Sequence, residues 1–185
     1  MCNKCCIKFG QDNISEKDII GKKVIEIGCV DINGSLRSYV ESFKPQQYIG
    51  TDIVSNKGVD KICYAEKLFD VFKKESFNIL ICTEVLEHVE NWKAVISNFK
   101  NIISVNGFLL ITTRSKGFKF HGYPHDYWRY EEEDFKYIFS DMIINKIEKD
   151  TRSPGIFIKA TKPENFIEKN LSEYKLYSMI KKDRS

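Results

Sequence analysis

Three short apolar runs, each ending in glycine or acid, restrict this chain to very few folds. Val24-Ile25-Glu26-Ile27 leads into Gly28-Cys29, and Tyr48-Ile49-Gly50-Thr51 ends in Asp52. Ile79-Leu80-Ile81-Cys82 opens into Thr83-Glu84-Val85-Leu86-Glu87-His88. Runs this short and this apolar read as strands covered on both faces. The segments between them have helical spacing, so parallel neighbours with right-handed crossovers follow. Such an open α/β sheet binds ligands beyond the carboxyl ends of its strands, where strand order reverses. The acids and glycines stand at those ends and point to a nucleoside-bearing cofactor.

The remaining elements are read along the chain. Ser15-Glu16-Lys17-Asp18 has the shape of a helix N-cap. Asn33 to Phe43 reads as a helix with Leu36, Tyr39, Val40 and Phe43 on one stripe, stopped by Pro45. A short strand is expected at Val59 to Cys63, then a helix from Ala65 to Lys74. Trp92 to Ile103 is helical by its apolar spacing, and Asn106-Gly107 turns into a strand over Phe108 to Thr113. Glu131 to Phe139 reads as helix. Ile143 to Ile147 and Ile156 to Thr161 are too close for a crossover, so they pair as an antiparallel hairpin at one sheet edge.

One domain over residues 1–185 is therefore expected, with its core over 20–162. A tail over 163–185 carries Ile167, Leu171, Tyr174, Tyr177 and Ile180 near helical spacing. That predicts a helical tail packing on its own domain, with a second copy in a homodimer as the alternative surface.

With 42% hydrophobic and 30% charged residues, the composition is that of a globular protein. A net charge of +3, with both signs interspersed, gives no single-face basic stripe and disfavours a nucleic-acid backbone as partner. A short structured RNA end stays open. No apolar stretch reaches the roughly 18 residues of a membrane span, and the N-terminus lacks the apolar centre of a secretory signal. A cytoplasmic location is the expectation. Cys29, Cys63 and Cys82 fall in or beside strands and read as reduced core residues. Cys2, Cys5 and Cys6 have no second ligand pair to complete a zinc site and read as an exposed thiol cluster.

At the sheet ends, Gly28 lets a ligand approach the backbone because it lacks a Cβ. Glu26 is an acid in an apolar strand and requires a partner. Asp52, placed 24 residues beyond Gly28, can accept bonds from both hydroxyls of a ribose.

The segments Val24 to Cys29, Gly50-Thr51-Asp52-Ile53 and Phe77 to Val89, with its Glu84-Val85-Leu86-Glu87-His88 core, resemble class I S-adenosylmethionine-dependent methyltransferases. The similarity is greatest to the branch containing ubiquinone-pathway O-methyltransferases and small-molecule and sugar methyltransferases, and covers roughly residues 20 to 162. It implies a Rossmann-like, mostly parallel seven-stranded sheet with a C-terminal antiparallel hairpin and helices on both faces. It also implies S-adenosylmethionine as cofactor and transfer of its methyl group to a small-molecule or sugar hydroxyl.

Carried over by position, Glu26 and Gly28 line the methionine end, with Asp31 and Gly34 in the loop that closes over it. Asp52 takes the ribose diol, Ile53 packs on adenine, Ala65 and Glu66 lie at the adenine edge, and Thr83 sits behind the sulfonium. Two departures stand out. The glycine-rich loop keeps Gly28, but its second and third glycines are replaced or displaced, and Tyr64 stands where an acid is common.

If a helix begins at Glu84, then Glu87 at i+3 and His88 at i+4 share its face, a partial site for a divalent cation such as magnesium. The resemblance implies the same, since similar Glu-x-x-Glu-His arrangements bind magnesium in that branch. They also do so, with a later histidine added, in small-RNA 2′-O-methyltransferases. His125 is the expected fourth ligand, and the metal-free reading has the acids capping a helix in solvent. His88 and His125 are the candidate catalytic groups.

The loop from Phe120 to Tyr130 holds five aromatics, two histidines, an aspartate and an arginine. So much aromatic area suggests an acceptor-binding wall, with packing of some of the rings as structure the alternative. Tyr123, His125, Tyr127, Trp128 and Arg129 are its expected contacts, with His121 the weaker histidine. Two rival readings are a nicotinamide dehydrogenase, which lacks its GxGxxG here, and a non-catalytic cofactor-binding partner protein.

Overall fold

The computed structural model describes residues 4–32, 34–122 and 125–185, so the expectations placed on Cys2, Asn33 and Tyr123 lie outside the described residues. The chain begins with helices α1 (Lys4–Asn13) and α2 (Glu16–Ile19), then β1 (Lys23–Ile27), α3 (Arg37–Glu41), β2 (Gln47–Asp52) and β3 (Lys61–Ile62). A 3-10 turn (Ala65–Lys67) runs into α4 (Leu68–Val71), followed by β4 (Phe77–Thr83), a second 3-10 turn (Leu86–His88), α5 (Trp92–Ile102) and β5 (Ile103–Arg114). Then come β6 (Trp128–Arg129), α6 (Glu132–Ile138), β7 (Ile143–Lys149), β8 (Gly155–Thr161) and β9 (Tyr177–Ser178).

Seven strands form one sheet in the order β3-β2-β1-β4-β5-β8-β7. Every pairing from β3 to β5 is parallel, and β8 alone runs against its neighbours. Strand order reverses at β1, which lies between β2 and β4, so the crevice for a ligand opens beyond the ends of β1 and β4.

Alternate residues of each strand feed two cores. Ile25, Leu80, Cys82, Leu109 and Ile111 pack with Val95 and Phe99 of α5 and Phe135 of α6. Val24, Ile79, Ile81 and Leu110 pack with Phe9 of α1, Val40 of α3 and Phe157 of β8. The sheet therefore carries helices on both faces, as expected. Cys29, Cys63 and Cys82 are buried, again as expected.

Four expectations are corrected. The described cysteines of the N-terminus, Cys5 and Cys6, are not both exposed thiols: α1 buries Cys6 and half-buries Cys5, and Phe9 packs on Phe157 with ring centroids 5.3 Å apart. The first crossover helix is shorter than Asn33 to Phe43. The Asp31 carboxylate accepts from the Gly34 amide at 2.8 Å and the Ser35 hydroxyl accepts from the Arg37 amide at 3.0 Å, turns that delay α3 to Arg37. The helix after β3 is a 3-10 turn plus one α-turn that ends where Phe72 turns extended.

The fourth correction concerns the tail, which is not helical. Ile167 and Ile180, two positions of its apparent stripe, are 84% and 68% exposed. Its anchors are spread along the path: Leu171 and Leu176 are buried in the main core, Asp141 accepts from the Lys169 amide at 2.8 Å, and the Tyr174 hydroxyl donates to Asp134 at 2.8 Å. The Tyr174 ring stacks on Tyr137 at 4.1 Å, and β9 pairs antiparallel with β6. These partners sit along an extended path, which outweighs weak helical spacing. The tail packs on its own domain, as expected. No helix among the described residues is long and apolar enough to cross a membrane.

Candidate active site

The first loop leaves β1 through Gly28, at φ +72°, a region that favours glycine. Its amide donates to the Thr51 carbonyl at 2.8 Å, and a Cβ there would lie 2.2 Å from a Val85 methyl. Gly34, at φ +109°, is equally closed to a side chain, because a Cβ would lie 2.5 Å from Ile7 of α1. These two glycines of the first loop are thus each required by backbone geometry and by a neighbour.

Asp52 ends β2 half-buried. Its carboxylate accepts from the Val30 amide at 3.2 Å and from the Ile53 amide at 2.7 Å, so it bridges the first loop and the β2 end. Ile53 beside it is 44% exposed, free to cover a flat ring. Ala65 is buried, its carbonyl accepting from Asn98 at 3.0 Å, and Glu66 is half-buried on the same turn. Thr83 is buried at the end of β4.

Glu26 is 3% exposed, and its Oε2 accepts from the Tyr48 hydroxyl at 2.7 Å. Burial pushes this carboxyl up to about 7, against the opposing pull of the Tyr48 bond and the Arg37 charge. The partner that an acid in an apolar strand demands is a neutral phenol.

Beyond β4 the charges are arranged otherwise. Glu84 adopts φ +60°, so no helix begins there, and the 3-10 turn starts only at Leu86. The i, i+3, i+4 alignment expected of Glu84, Glu87 and His88 therefore does not form. Glu84 is buried against the Arg114 guanidinium, with Thr112 donating at 3.0 Å and the Cys6 thiol at 3.4 Å. It is not a ligand at the mouth, since its charge is taken up within the fold.

Glu87 is wholly buried, and its Oε2 accepts from Thr113 at 2.8 Å. Its Oε1 has no hydrogen-bond partner among the described residues. His121 Nε2 approaches that oxygen to 3.6 Å and His88 Nε2 to 3.8 Å, too far for hydrogen bonds. Burial alone would raise the Glu87 carboxyl, but His121 and His88 hold it down at about 2, and Glu87 in turn raises His121.

Each imidazole is oriented by its other nitrogen. His88 Nδ1 lies 2.5 Å from the His125 carbonyl oxygen, and His121 Nδ1 lies 3.1 Å from Asp126. Each Nδ1 faces an acceptor and so carries a proton; in its neutral form each ring then turns an Nε2 lone pair to the Glu87 oxygen, whereas the charged form, which Glu87 favours at His121, sets a proton between them. Three acceptors meeting without a donor call for a proton or a metal cation. Glu87, His88 and His121 are a group of ligand atoms lying within 4.8 Å of one another.

Three expectations for this region are corrected. His121, not His125, joins the cluster: His125 contributes its carbonyl while the residue is exposed, its ring 5.4 Å from that of Tyr127. Arg129 does not reach a substrate, because it is wholly buried with both terminal nitrogens on Asp126, at 2.5 and 2.7 Å. Trp128 is a structural ring whose Nε1 donates to the Val89 carbonyl at 2.9 Å. Tyr127 stays half-buried at the rim, its amide donating to the Glu87 carbonyl at 2.7 Å. The signal for His121 was Asp126, five residues on in the same loop.

Comparison with known proteins adds a consistent set of likenesses. A family model described as a methyltransferase domain matches residues 8–145. A ubiquinone biosynthesis O-methyltransferase of Glaesserella parasuis is 30% identical over 124 residues, 58% of this chain and 51% of that protein. A protein of the same name from Bartonella tribocorum is 24% identical over 179 residues, 90% of this chain and 66% of that one. The chain thus spans about half to two thirds of the length of these curated relatives.

Among solved structures, an S-adenosylmethionine-dependent methyltransferase from Mesorhizobium loti superposes with TM-score 0.60 at 12% identity, covering 84% of this chain and 96% of that one. A Burkholderia thailandensis 1,6-didemethyltoxoflavin-N1-methyltransferase, solved with S-adenosylhomocysteine and 1,6-didemethyltoxoflavin, gives 0.65 at 10%, covering 87% and 78%. At these identities the likeness is one of fold.

Proposed function

This chain belongs to the methyltransferase-domain family and carries the fold of S-adenosylmethionine-dependent methyltransferases, and we propose that it moves the methyl group of that cofactor to the hydroxyl of a small-molecule or sugar acceptor. The observation that carries the proposal is Asp52. Its carboxylate ends the strand beside the switch point, next to a glycine bend with no room for a side chain and an exposed Ile53. That set suits a ribose diol, an adenine ring and the approach of a sulfonium.

Glu26 then faces the ammonium of the methionine end, with Asp31 and Gly34 in the covering loop. Ala65 and Glu66 border the adenine, and Thr83 sits behind the sulfur. In the reaction a lone pair of the acceptor oxygen forms a bond to the methyl carbon while the carbon–sulfur bond breaks, its electrons returning to sulfur as a thioether. Holding oxygen, carbon and sulfur in line supplies much of the acceleration. The hydroxyl proton must also leave. In the neutral form, His88 or His121 offers an Nε2 lone pair at the rim and serves as the base. Tyr127 and the loop around His125 form the wall on the acceptor side.

The named relatives include O- and N1-methyltransferases, so the fold does not choose the acceptor atom. The oxygen acceptor rests on the likeness to the ubiquinone-pathway proteins and on an imidazole base suited to a hydroxyl.

A second reading is favoured by the unpartnered Glu87 Oε1. Glu87, His88 and His121 fit a divalent cation, whereas Glu84, tied to Arg114, does not. Such a cation would make the acceptor hydroxyl more acidic. The shared test is calorimetry. S-adenosylmethionine should bind and NAD should not, and Asp52→Ala should weaken the binding by about a hundredfold. Undiminished binding in that variant would remove the proposal. Magnesium titrated into the protein decides the second reading, which fails if there is no heat or if Glu87→Gln leaves the heat unchanged.

A further inference from the structure

The buried carboxylate of β1 is held by a chain of contacts that the proposed reaction does not use. Tyr48 lies two residues before Gly50, which pairs with Glu26 across β1 and β2, so its ring shares the Glu26 face of the sheet. Its hydroxyl donates to Oε2 of Glu26, and among the described residues no donor reaches Oε1. The Arg37 guanidinium covers the Tyr48 ring, 4.9 Å from its centroid.

Arg37 is itself fixed on several sides. It donates to Glu41 at 2.9 Å, to the Gly58 carbonyl at 2.6 Å and to Asp60 at 2.9 Å, and Asp60 in turn accepts from the Gly50 amide at 2.7 Å. A tyrosine clamped in this way cannot swing to follow a carboxylate, so the carboxylate must settle on the tyrosine.

We infer that Tyr48 is a positioning residue for the amino-acid end of the cofactor: by holding one oxygen of Glu26, its hydroxyl leaves the other set for the ammonium. The inference rests on the reading that Glu26 meets that ammonium. The chemistry is economical. A carboxylate buried without a donor would be protonated or would turn toward a backbone amide. A single neutral donor stabilises the anion without adding a positive charge that would repel the ligand. Arg37, although its charge is felt at Glu26, keeps its nitrogens on Asp60, Glu41 and Gly58 and makes no hydrogen bond to the carboxylate; it packs on the ring between them.

The consequence is selective. Loss of the hydroxyl should weaken ligands that carry the ammonium and spare ligands that lack it. The test compares S-adenosylmethionine with 5′-methylthioadenosine, which keeps the adenosine and the sulfur but has no amino-acid portion. Binding of both is measured by calorimetry to the wild-type chain, to Tyr48→Phe and to Arg37→Gln, with thermal melting as the folding control. Tyr48→Phe should weaken S-adenosylmethionine by about five- to tenfold, the size of one ordinary hydrogen bond, while methylthioadenosine changes by less than about twofold. Arg37→Gln, which unpins the ring but keeps the hydroxyl, should give a smaller loss with the same selectivity.

Equal weakening of both ligands by Tyr48→Phe would make Tyr48 a packing residue and overturn the inference. So would unchanged binding of both. If Glu26→Gln leaves the affinity for S-adenosylmethionine unchanged, the parent reading of Glu26 falls as well. If Glu26→Gln weakens it and Tyr48→Phe does not, only the role of Tyr48 falls.

Discussion

The two ends of the crevice hold their acids by opposite means. At β1 and β2, Glu26 and Asp52 rest on neutral donors, a phenol in one case and backbone amides in the other. Beyond β4 and β5, Glu84 and Asp126 are matched by the buried guanidinium groups of Arg114 and Arg129, and one oxygen of Glu87 meets no donor among the described residues. Neutral donors leave negative charge available to a ligand, whereas ion pairs consume it within the fold. The first end keeps negative charge without a cation of the fold bonded to it, as the proposed cofactor site requires, and the second is held by its ion pairs around one oxygen of Glu87.

The contrast is broken most severely at Arg114. Its removal as Arg114→Met leaves Glu84 and Asp150 buried without their cation, and should destabilise the fold by about 3–5 kcal/mol, read as a lower urea midpoint. Adding Glu84→Gln to that variant should restore part of the loss. An unchanged midpoint in Arg114→Met would mean that the pair is not a structural ion pair. At the other end, Asp52→Ala should leave the midpoint almost unmoved and lower S-adenosylmethionine affinity by about a hundredfold, the size of two hydrogen bonds to a charged acceptor. A large stability loss there would erase the distinction between the two ends.

Glu87→Gln tests the unmet oxygen: it should reduce magnesium affinity by at least about tenfold while leaving cofactor affinity alone. Equal binding of magnesium by both proteins would contradict it.

The smallest effect is a pH dependence. Glu26 is faced by Tyr48, Arg37, Asp31, Glu41 and Cys29, and its carboxyl is raised from 4.5 to about 7. Ligand ammonium needs the carboxylate, so cofactor affinity should rise as pH climbs toward about 7 and flatten above it, gaining about twofold between pH 7 and 8. The folded chain also keeps a proton that the unfolded chain releases. Stability from this group is therefore complete below about 4.5 and lost as pH rises through about 7. A flat binding profile from pH 6 to 8 would show that Glu26 is already ionised.

The parts of the molecule that sequence makes legible are those where one interaction type dominates. Strands β1, β4 and β8 are covered on both faces, and their apolar runs admit no other reading. Gly28 and Asp52 stand at the ends of β1 and β2 for the same reason, since each position follows directly from where such a strand ends.

The rest depended on single backbone or tertiary events. Nothing in the residue type of Glu84 announces a positive φ, yet that one dihedral separates it from Glu87. The choice between His121 and His125 is made by Asp126, which is itself set by Arg129, in a loop without periodicity. Helix α1 escaped notice because only Cys6, Phe9 and Gly10 of its ten residues are buried. The tail misled because helical spacing of apolar residues does not reveal that Asp134 and Asp141 offer anchors along an extended path.

One side chain ties the two ends together. Val85 stands between Glu84 and the 3-10 turn that holds Glu87 and His88, and one of its methyl groups fills the space where Gly28 would carry a Cβ. The first loop and the turn that holds Glu87 and His88 thus meet across one methyl group. Any event that draws Glu87 and His88 inward must press on the Gly28 bend, and a larger residue at position 85 would jam both segments at once.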